Sequence, residues 1–598
     1  MEEQKKGWKQ FKPIKLDRKR LARRVKRAEG VTQRHAHRFI VRRINNIRLV
    51  SREITTWLFI VGGMIAAIGL QLYWGQQQYM EQASVKGGTY VEGVIGQVDT
   101  LNPLYVSTAS EASVARLIFS SLYNYDQLGS IHQDLASQLS VDQTGKIYTV
   151  KMRGDATWHD GKKVTAKDVV FTINVIKNPA ARSPLRINWL DVSAVAVDDT
   201  TVQFTLPAVY AAFPHALTFP VLPQHELQNV TPAALRESTF SRAPVGSGPF
   251  SFRLLQAADA VSKHKVVHLL ANEHYYDGAP KVSRFELHAF LTEESLLSSL
   301  KAGELSGASG LSSGSLSVVD GKRYNTVPQA KSSGVYLLLN MNNATLKDIK
   351  VRKALQVGTD TALLRKKVGG KVNPLDGPIL LSQLDGEDVP RLPVADSKKA
   401  ATLLDEAGWT LTGSDRMKEG KKLEFTITTT NRAENSAIVD SLTEQWRQLG
   451  IQVHRKTVDT SRVSSTFVQD TLLGRNYEIL LYELAIGADP DVYAYWHSSQ
   501  IGQTGYNFTN YSSKAADASL ASARSRLEPN LRNAKYKQFV RQWQEDAPAI
   551  ALYQPVQNYA YNKNVDSVTS GSLLANEADR YAKVQYWTVH STAVYKTP

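Results

Sequence analysis

The sequence predicts a mixed α/β body carried behind a membrane-spanning helix, and three observations predict it. Short β-branched and aromatic runs, such as Ile147–Met152 and residues 201–206, interleave with helical stretches such as residues 111–122 and 398–407. A chain of 598 residues exceeds what one hydrophobic core organises, so two or more domains are expected. Residues 54–74, running from Ile54 to Trp74 as ITTWLFIVGGMIAAIGLQLYW, carry no charge; at about 1.5 Å per residue they reach roughly 30 Å, one bilayer.

Charge sets the expected topology. Of a net charge of +16, residues 1–53 hold 18 Lys/Arg against 5 Asp/Glu, so the basicity belongs to this tail and not to the body. Positive charge crowded before the span keeps the tail cytoplasmic and places everything after about Gln76 outside. The long basic lead and the lack of a small-residue cleavage site favour an uncleaved anchor over a signal peptide. Anionic lipid headgroups are the partner expected for residues 1–53; no RNA-binding motif is visible there, and no nucleic acid is expected. Residues 75–88 read as a short polar stalk ending at Gly87 and Gly88. Cysteine is absent, which excludes disulfides, thiolate metal sites, a cysteine nucleophile and a lipid-modified cysteine anchor.

Within the body, DATWHDGKKVTAKDVVF at residues 155–171 sets Trp158, His159 and Asp160 side by side, as a catalytic or metal centre would. The flanks predict structure instead. A strand precedes it, Asp160-Gly161 is a turn dipeptide, and Thr165 with Asp168 forms a capping box at a helix start. Gly310-Leu-Ser-Ser-Gly314 matches the G-x-S-x-G of serine hydrolases, but residues 306–317 read as a Ser/Gly loop without the strand and helix such an elbow needs. His264 and His268 have helical zinc spacing in a β-branched setting, where residues four apart lie about 13 Å from each other.

Nine stretches resemble, in order and spacing, the family-5 extracellular solute-binding proteins, which include the dipeptide- and oligopeptide-binding components of ABC importers. They are LNPLY (101–105), YTVKMRGDATWHDGKKVTAKDVVFT (148–172), PVGSGPF (244–250), ANEHYYDGAPKV (271–282), LKAGEL (300–305), VRKAL (351–355), KKAATLLDEAGW (398–409), GADPD (487–491) and EDAPAIALYQP (545–555). The resemblance covers about residues 87–590 and implies a two-lobe, periplasmic-binding-protein-like fold with mixed sheets. It places lobe I at 89–334, with an inserted subdomain at about 111–239, lobe II at 335–552, and a return to lobe I at 553–598. A crossover pair of strands would form the hinge; the apolar runs 335–340 and 549–555 suit buried strands crossing between lobes.

The expected function is therefore capture of peptides in an interlobe cleft and delivery to an ABC permease with its ATPase subunits; no catalytic residue, metal or cofactor is expected. The chain has no phosphate-binding G-x-x-x-x-G-K-[ST] loop of its own. The candidate ligand contacts lie in LYELAIGADPDVYAYW at 481–496: Glu483, Asp489, Asp491, Tyr495 and Trp496, acidic groups beside aromatics, as a cation-accepting pocket wall requires. The plain structural alternative makes Asp489 and Asp491 caps of a turn and a helix start. In peptide-binding relatives an aspartate three residues before the Asp-Pro-Asp run holds the ligand's ammonium; here Ile486 stands in that place, and Glu483 is the nearest acidic substitute. Two rival readings are a membrane-tethered hydrolase using Ser312 and a surface receptor that has lost transport.

Overall fold

The computed structural model describes residues 51–257, 264–368, 371–386, 388–460, 467–566, 568, 572–589 and 591–595. Most of the basic tail, residues 1–50, lies outside the described residues. Helix Ser51–Tyr79 contains a stretch, Ser51–Trp74, that is long and apolar enough to cross a membrane. The segment expected as a stalk is helical through Tyr79 and then extended, and Met80–Ser84 pairs with Ser591–Tyr595 in a two-stranded sheet.

Residues Ser84–Ser591 form one compact unit built on two large mixed sheets. The first has eight strands in the order Ser572–Leu574, Tyr324–Lys331, Val556–Asn562, Gly307–Leu311, Thr89–Ile95, Arg284–Phe290, Lys265–Ala271 and Phe250–Ala257. The second has six: Asn373–Pro374, Ala549–Gln554, Ser333–Leu339, Ile479–Ala485, Glu424–Thr430 and Gln452–Val458. A four-stranded antiparallel sheet between Ala136 and Thr205 forms a smaller layer attached to the first lobe.

Two antiparallel strands pass from one large sheet into the other. Tyr324–Lys331 pairs with Val556–Asn562 in the first lobe, and Ser333–Leu339 pairs with Ala549–Gln554 in the second. Only Ser332 and Pro555 separate the two sheets along these strands. All seven residues of Ser333–Leu339 are buried because the second sheet is covered on both faces: Val335, Leu337 and Leu339 enter one core cluster, Tyr336 and Leu338 the other. That two-sided burial explains an unbroken apolar run where a half-exposed strand would alternate.

One expectation is overturned. Residues 306–317 are not a loop throughout, because Gly307–Leu311 is a buried strand lodged between Thr89–Ile95 and Val556–Asn562. Small residues are required there: a Cβ on Gly307 would strike the hydroxyls of Tyr90 and Tyr559. Below that strand, the buried carboxylate of Glu92 accepts from Arg580 Nε (2.7 Å), Tyr581 Oη (2.8 Å) and Tyr559 Oη (3.1 Å), tying the C-terminal return into the first lobe.

Candidate ligand-binding cleft

The hinge strands open onto a cavity of about 740 Å³ lined from both lobes, within the range of small-molecule sites. The first lobe contributes Glu293, Ser309, Ser312, Lys331 and Glu577; the second contributes Arg432, Glu434, Glu483 and Tyr553. A second cavity of about 580 Å³ shares Thr430, Arg432, Tyr482 and Glu483 with it and adds Ser333 and Phe467.

Most charges in the cleft are paired. Lys331 Nζ lies 3.2 Å from Glu577 Oε1 across the root of the hinge. Arg432 follows strand Glu424–Thr430 and caps helix Ala433–Arg447, so its guanidinium reaches Glu483 Oε2 at 3.4 Å and Glu434 at 4.0 Å. Ser333 Oγ–H donates to Glu483 Oε1 at 2.7 Å. Burial, reinforced by Glu483 beside Tyr482 and by Glu434 beside Tyr553, raises both phenol pKa values, so both rings stay neutral.

Of the five residues singled out by sequence, Glu483 alone lines these cavities. Trp496 is 1% exposed and packs edge-on against Tyr336 and Trp543 in the second lobe's core, because Tyr493–Trp496 is a single helical turn lying on that core. Tyr495 is half-buried, with its pKa pushed up to about 12 by burial, and lines neither cavity. Asp489 makes a bidentate pair with Arg532, both contacts at 2.6 Å, and its Oδ1 also accepts from Asp491 N–H. Asp491 sits 3.2 Å from Arg524; burial raises its pKa and Arg524 opposes the rise. Both aspartates are thus occupied by arginines of the second lobe, and both face the small subdomain. His215 Nε2 is 3.5 Å from Asp489, Tyr210 lies under the Arg524 guanidinium at 4.8 Å, and Ala211 N–H donates to Arg524 O at 2.9 Å. The Asp-Pro-Asp segment is a bridge between lobes, which spacing along one strand end could not reveal.

Ile486 is buried in the second lobe's core, and its N–H and that of Gly487 both donate to Ser332 O at 2.9 Å, anchoring the strand end to the hinge. Ser312 lies just beyond strand Gly307–Leu311, so the flank read as lacking a strand has one. Its N–H donates to Glu293 Oε1 at 2.7 Å and its hydroxyl meets Ser315 Oγ at 2.9 Å; among the described residues no histidine hydrogen-bonds it. His268 is on strand Lys265–Ala271, 3.3 Å from Glu286 on the neighbouring strand and 3.1 Å from Gln256. Sequence reading missed Arg432, Lys331, Glu577 and Glu293, which come from four distant segments and share no local motif.

The family profile described as bacterial extracellular solute-binding proteins, family 5, middle, matches residues 130–505. The chain belongs to this family. Within it, the chain is 29% identical over 519 residues to the oligopeptide-binding protein AppA of Bacillus subtilis (strain 168), covering 84% of this chain and 92% of AppA. The solved structure of that AppA in complex with a nonapeptide covers 85% of this chain and 99% of its own at 26% identity, with a TM-score of 0.67. NikZ of Campylobacter jejuni in complex with Ni(L-His) is equally near, at 26% identity and a TM-score of 0.70 over 84% of this chain and 99% of NikZ. As a family-5 protein the chain has the two-lobe solute-binding fold, and its described cleft lies where the two lobes meet.

Proposed function

We propose that this chain is an extracytoplasmic solute-binding protein that captures peptides between its lobes and hands them to an ABC permease, catalysing nothing itself. The observation that carries the reading is the cleft of about 740 Å³, lined from both lobes and rooted at the two hinge strands. Closure around a hinge lets a ligand bury most of its surface, and water left in the cleft tolerates varied side chains. The similarity to AppA, whose structure holds a nonapeptide, favours peptides over other solutes.

In this reading Glu483 and Arg432 are the paired anchors, the carboxylate for a ligand ammonium and the guanidinium for a ligand carboxylate, each released from the other when the ligand arrives. Asp489 and Asp491 serve closure instead of contacting ligand. Helix Ser51–Trp74 anchors the protein with residues 1–53 in the cytoplasm, near anionic lipid headgroups, and the body outside. Native mass spectrometry of the full chain in detergent, after exposure to a pool of short peptides, tests the function. Retained peptides are expected; a chain that retains none and is not stabilised by the pool refutes the reading.

A further inference from the structure

The cleft's charges do not balance. Four glutamates, Glu293, Glu434, Glu483 and Glu577, face one lysine and one arginine. Lys331 is engaged by Glu577, and Arg432 by Glu483 and Glu434. Glu293 is left without a cation, and no described Lys, Arg or His lies within ion-pair distance of it. It is held in place nevertheless. It opens helix Glu293–Ala302, and its Oε1 accepts from Ser312 N–H at 2.7 Å and from Ser315 Oγ–H at 2.6 Å, whereas no described group donates to Oε2.

Two buried polar groups line the same cavity without partners. Ser309 Oγ is 0% exposed and hydrogen-bonds no described group, and the same is true of Nε2 of Gln557, a residue 7% exposed. A buried donor left unmade costs the full desolvation of that group, so such groups in a cleft indicate where a ligand's polar atoms belong. Gln557 Nε2 offers only donors and therefore asks for a carbonyl; Ser309 takes either role.

We infer that Glu293 is a cation-accepting subsite of the first lobe, set to receive an ammonium or guanidinium on the ligand while Gln557 and Ser309 take up a neighbouring amide. The inference rests on the peptide reading above and narrows it: the preferred ligands carry a basic side chain, and that charge is read by Glu293, which has no cation to give up, while Glu483, which must first exchange Arg432, is left to the ligand's terminal ammonium.

Calorimetry on the full chain in detergent micelles tests this with Ala-Ala-Lys-Ala-Ala and its isostere in which norleucine replaces lysine, whose identical termini cancel in the comparison. The lysine peptide should bind at least about tenfold tighter to the wild type, the size of one charge-assisted hydrogen bond. In Glu293→Gln that advantage should shrink to less than about twofold while the norleucine peptide keeps its affinity; in Glu483→Gln the lysine preference should persist. Equal binding of the two peptides to wild type, survival of the preference in Glu293→Gln, or an equal loss for both peptides overturns the inference. If neither peptide binds, the peptide pool above decides the peptide reading, and agmatine and spermidine decide the subsite: binding to wild type that Glu293→Gln abolishes upholds it, and no binding, or binding that Glu293→Gln leaves unchanged, overturns it.

Discussion

His159 shows how a residue that looks chemical works as structure. Its Nδ1 accepts from Gly246 N–H at 3.2 Å, which leaves the proton on Nε2, and Nε2–H donates to Gly248 O at 3.1 Å. The two glycines are required because a Cβ on either would strike the Ile118 backbone. The ring therefore fastens the 244–250 loop to the first lobe, and it is not the surface residue that its turn position suggests. Burial pulls its pKa down to about 4. A histidine with a depressed folded pKa contributes stability that is fully present above its unfolded value of about 6.5 and lost as pH falls toward 4. His159→Ala should thus cost about 2 kcal/mol at pH 7, by leaving the buried Gly246 N–H unmet and removing one of the two donors to Gly248 O, the other being Asn272 Nδ2, and visibly less at pH 4.5. Urea titrations at the two pH values check this, and peptide affinity should stay within about twofold. A penalty that grows on acidification would mean the folded ring is charged.

Glu483 belongs to the same scale. Ile486 is turned into the core, so under the proposed function the ammonium of a free peptide falls to Glu483, whose pairing with Arg432 must first be exchanged. Glu483→Gln is expected to weaken free peptides about ten- to a hundredfold and to leave N-acetylated peptides unaffected. Calorimetry with acetylated and free versions of one peptide decides it, since equal affinities on wild type would remove ammonium recognition from this residue.

At the scale of elements, the start of helix Ala166–Lys177 depends on Asp168 more than on Thr165. The Asp168 carboxylate accepts from Thr165 N–H (2.8 Å), from the Thr165 hydroxyl (3.1 Å) and, through its other oxygen, from Gln224 N–H (2.9 Å), so it fixes the helix and a distant loop together. Thr165→Ala should cost at most about 1 kcal/mol and Asp168→Ala about 2 kcal/mol, read from denaturation midpoints. The opposite order would return the capping role to Thr165.

At the scale of the whole molecule, the lobes meet at the hinge through Ser332 and Pro555 and at the bridge where Tyr210 and His215 face Asp489, Asp491, Arg524 and Arg532. The Tyr210 phenol lies beside Asp491 and favours its ionised form, so Tyr210→Phe removes one polar contact of the bridge without touching the cleft. Peptide dissociation in stopped flow should quicken by about two- to fivefold with folding stability unchanged, because weakening a contact that holds the lobes together eases their opening and so acts on the off-rate. An unchanged off-rate would reduce the bridge to packing. The topology is tested at this scale too: protease added to cells stripped of any outer wall should remove the body and spare residues 1–53. Protection of the body would refute the external placement.

The sequence by itself determined the fold class, the family, the apolar helix and the cap at Thr165 and Asp168, because each is written in neighbouring residues through periodicity, spacing or an ordered series of local motifs. Tertiary structure alone decided which polar groups share the cleft. Lys331, Arg432, Glu483 and Glu577 lie far apart in the chain and are gathered only when the crossing strands bring the sheets together. It also decided against the obvious reading of 481–496, since one strand end and one helical turn send Glu483 to the cleft, Trp496 to the core and two aspartates to arginines. Gly307–Leu311 marks the same boundary: its residues have little preference for strand, and they are extended because two neighbouring strands leave room only for small side chains there. Local pattern fixes what an element is; the partners packed against it fix which of its side chains is left to meet a ligand.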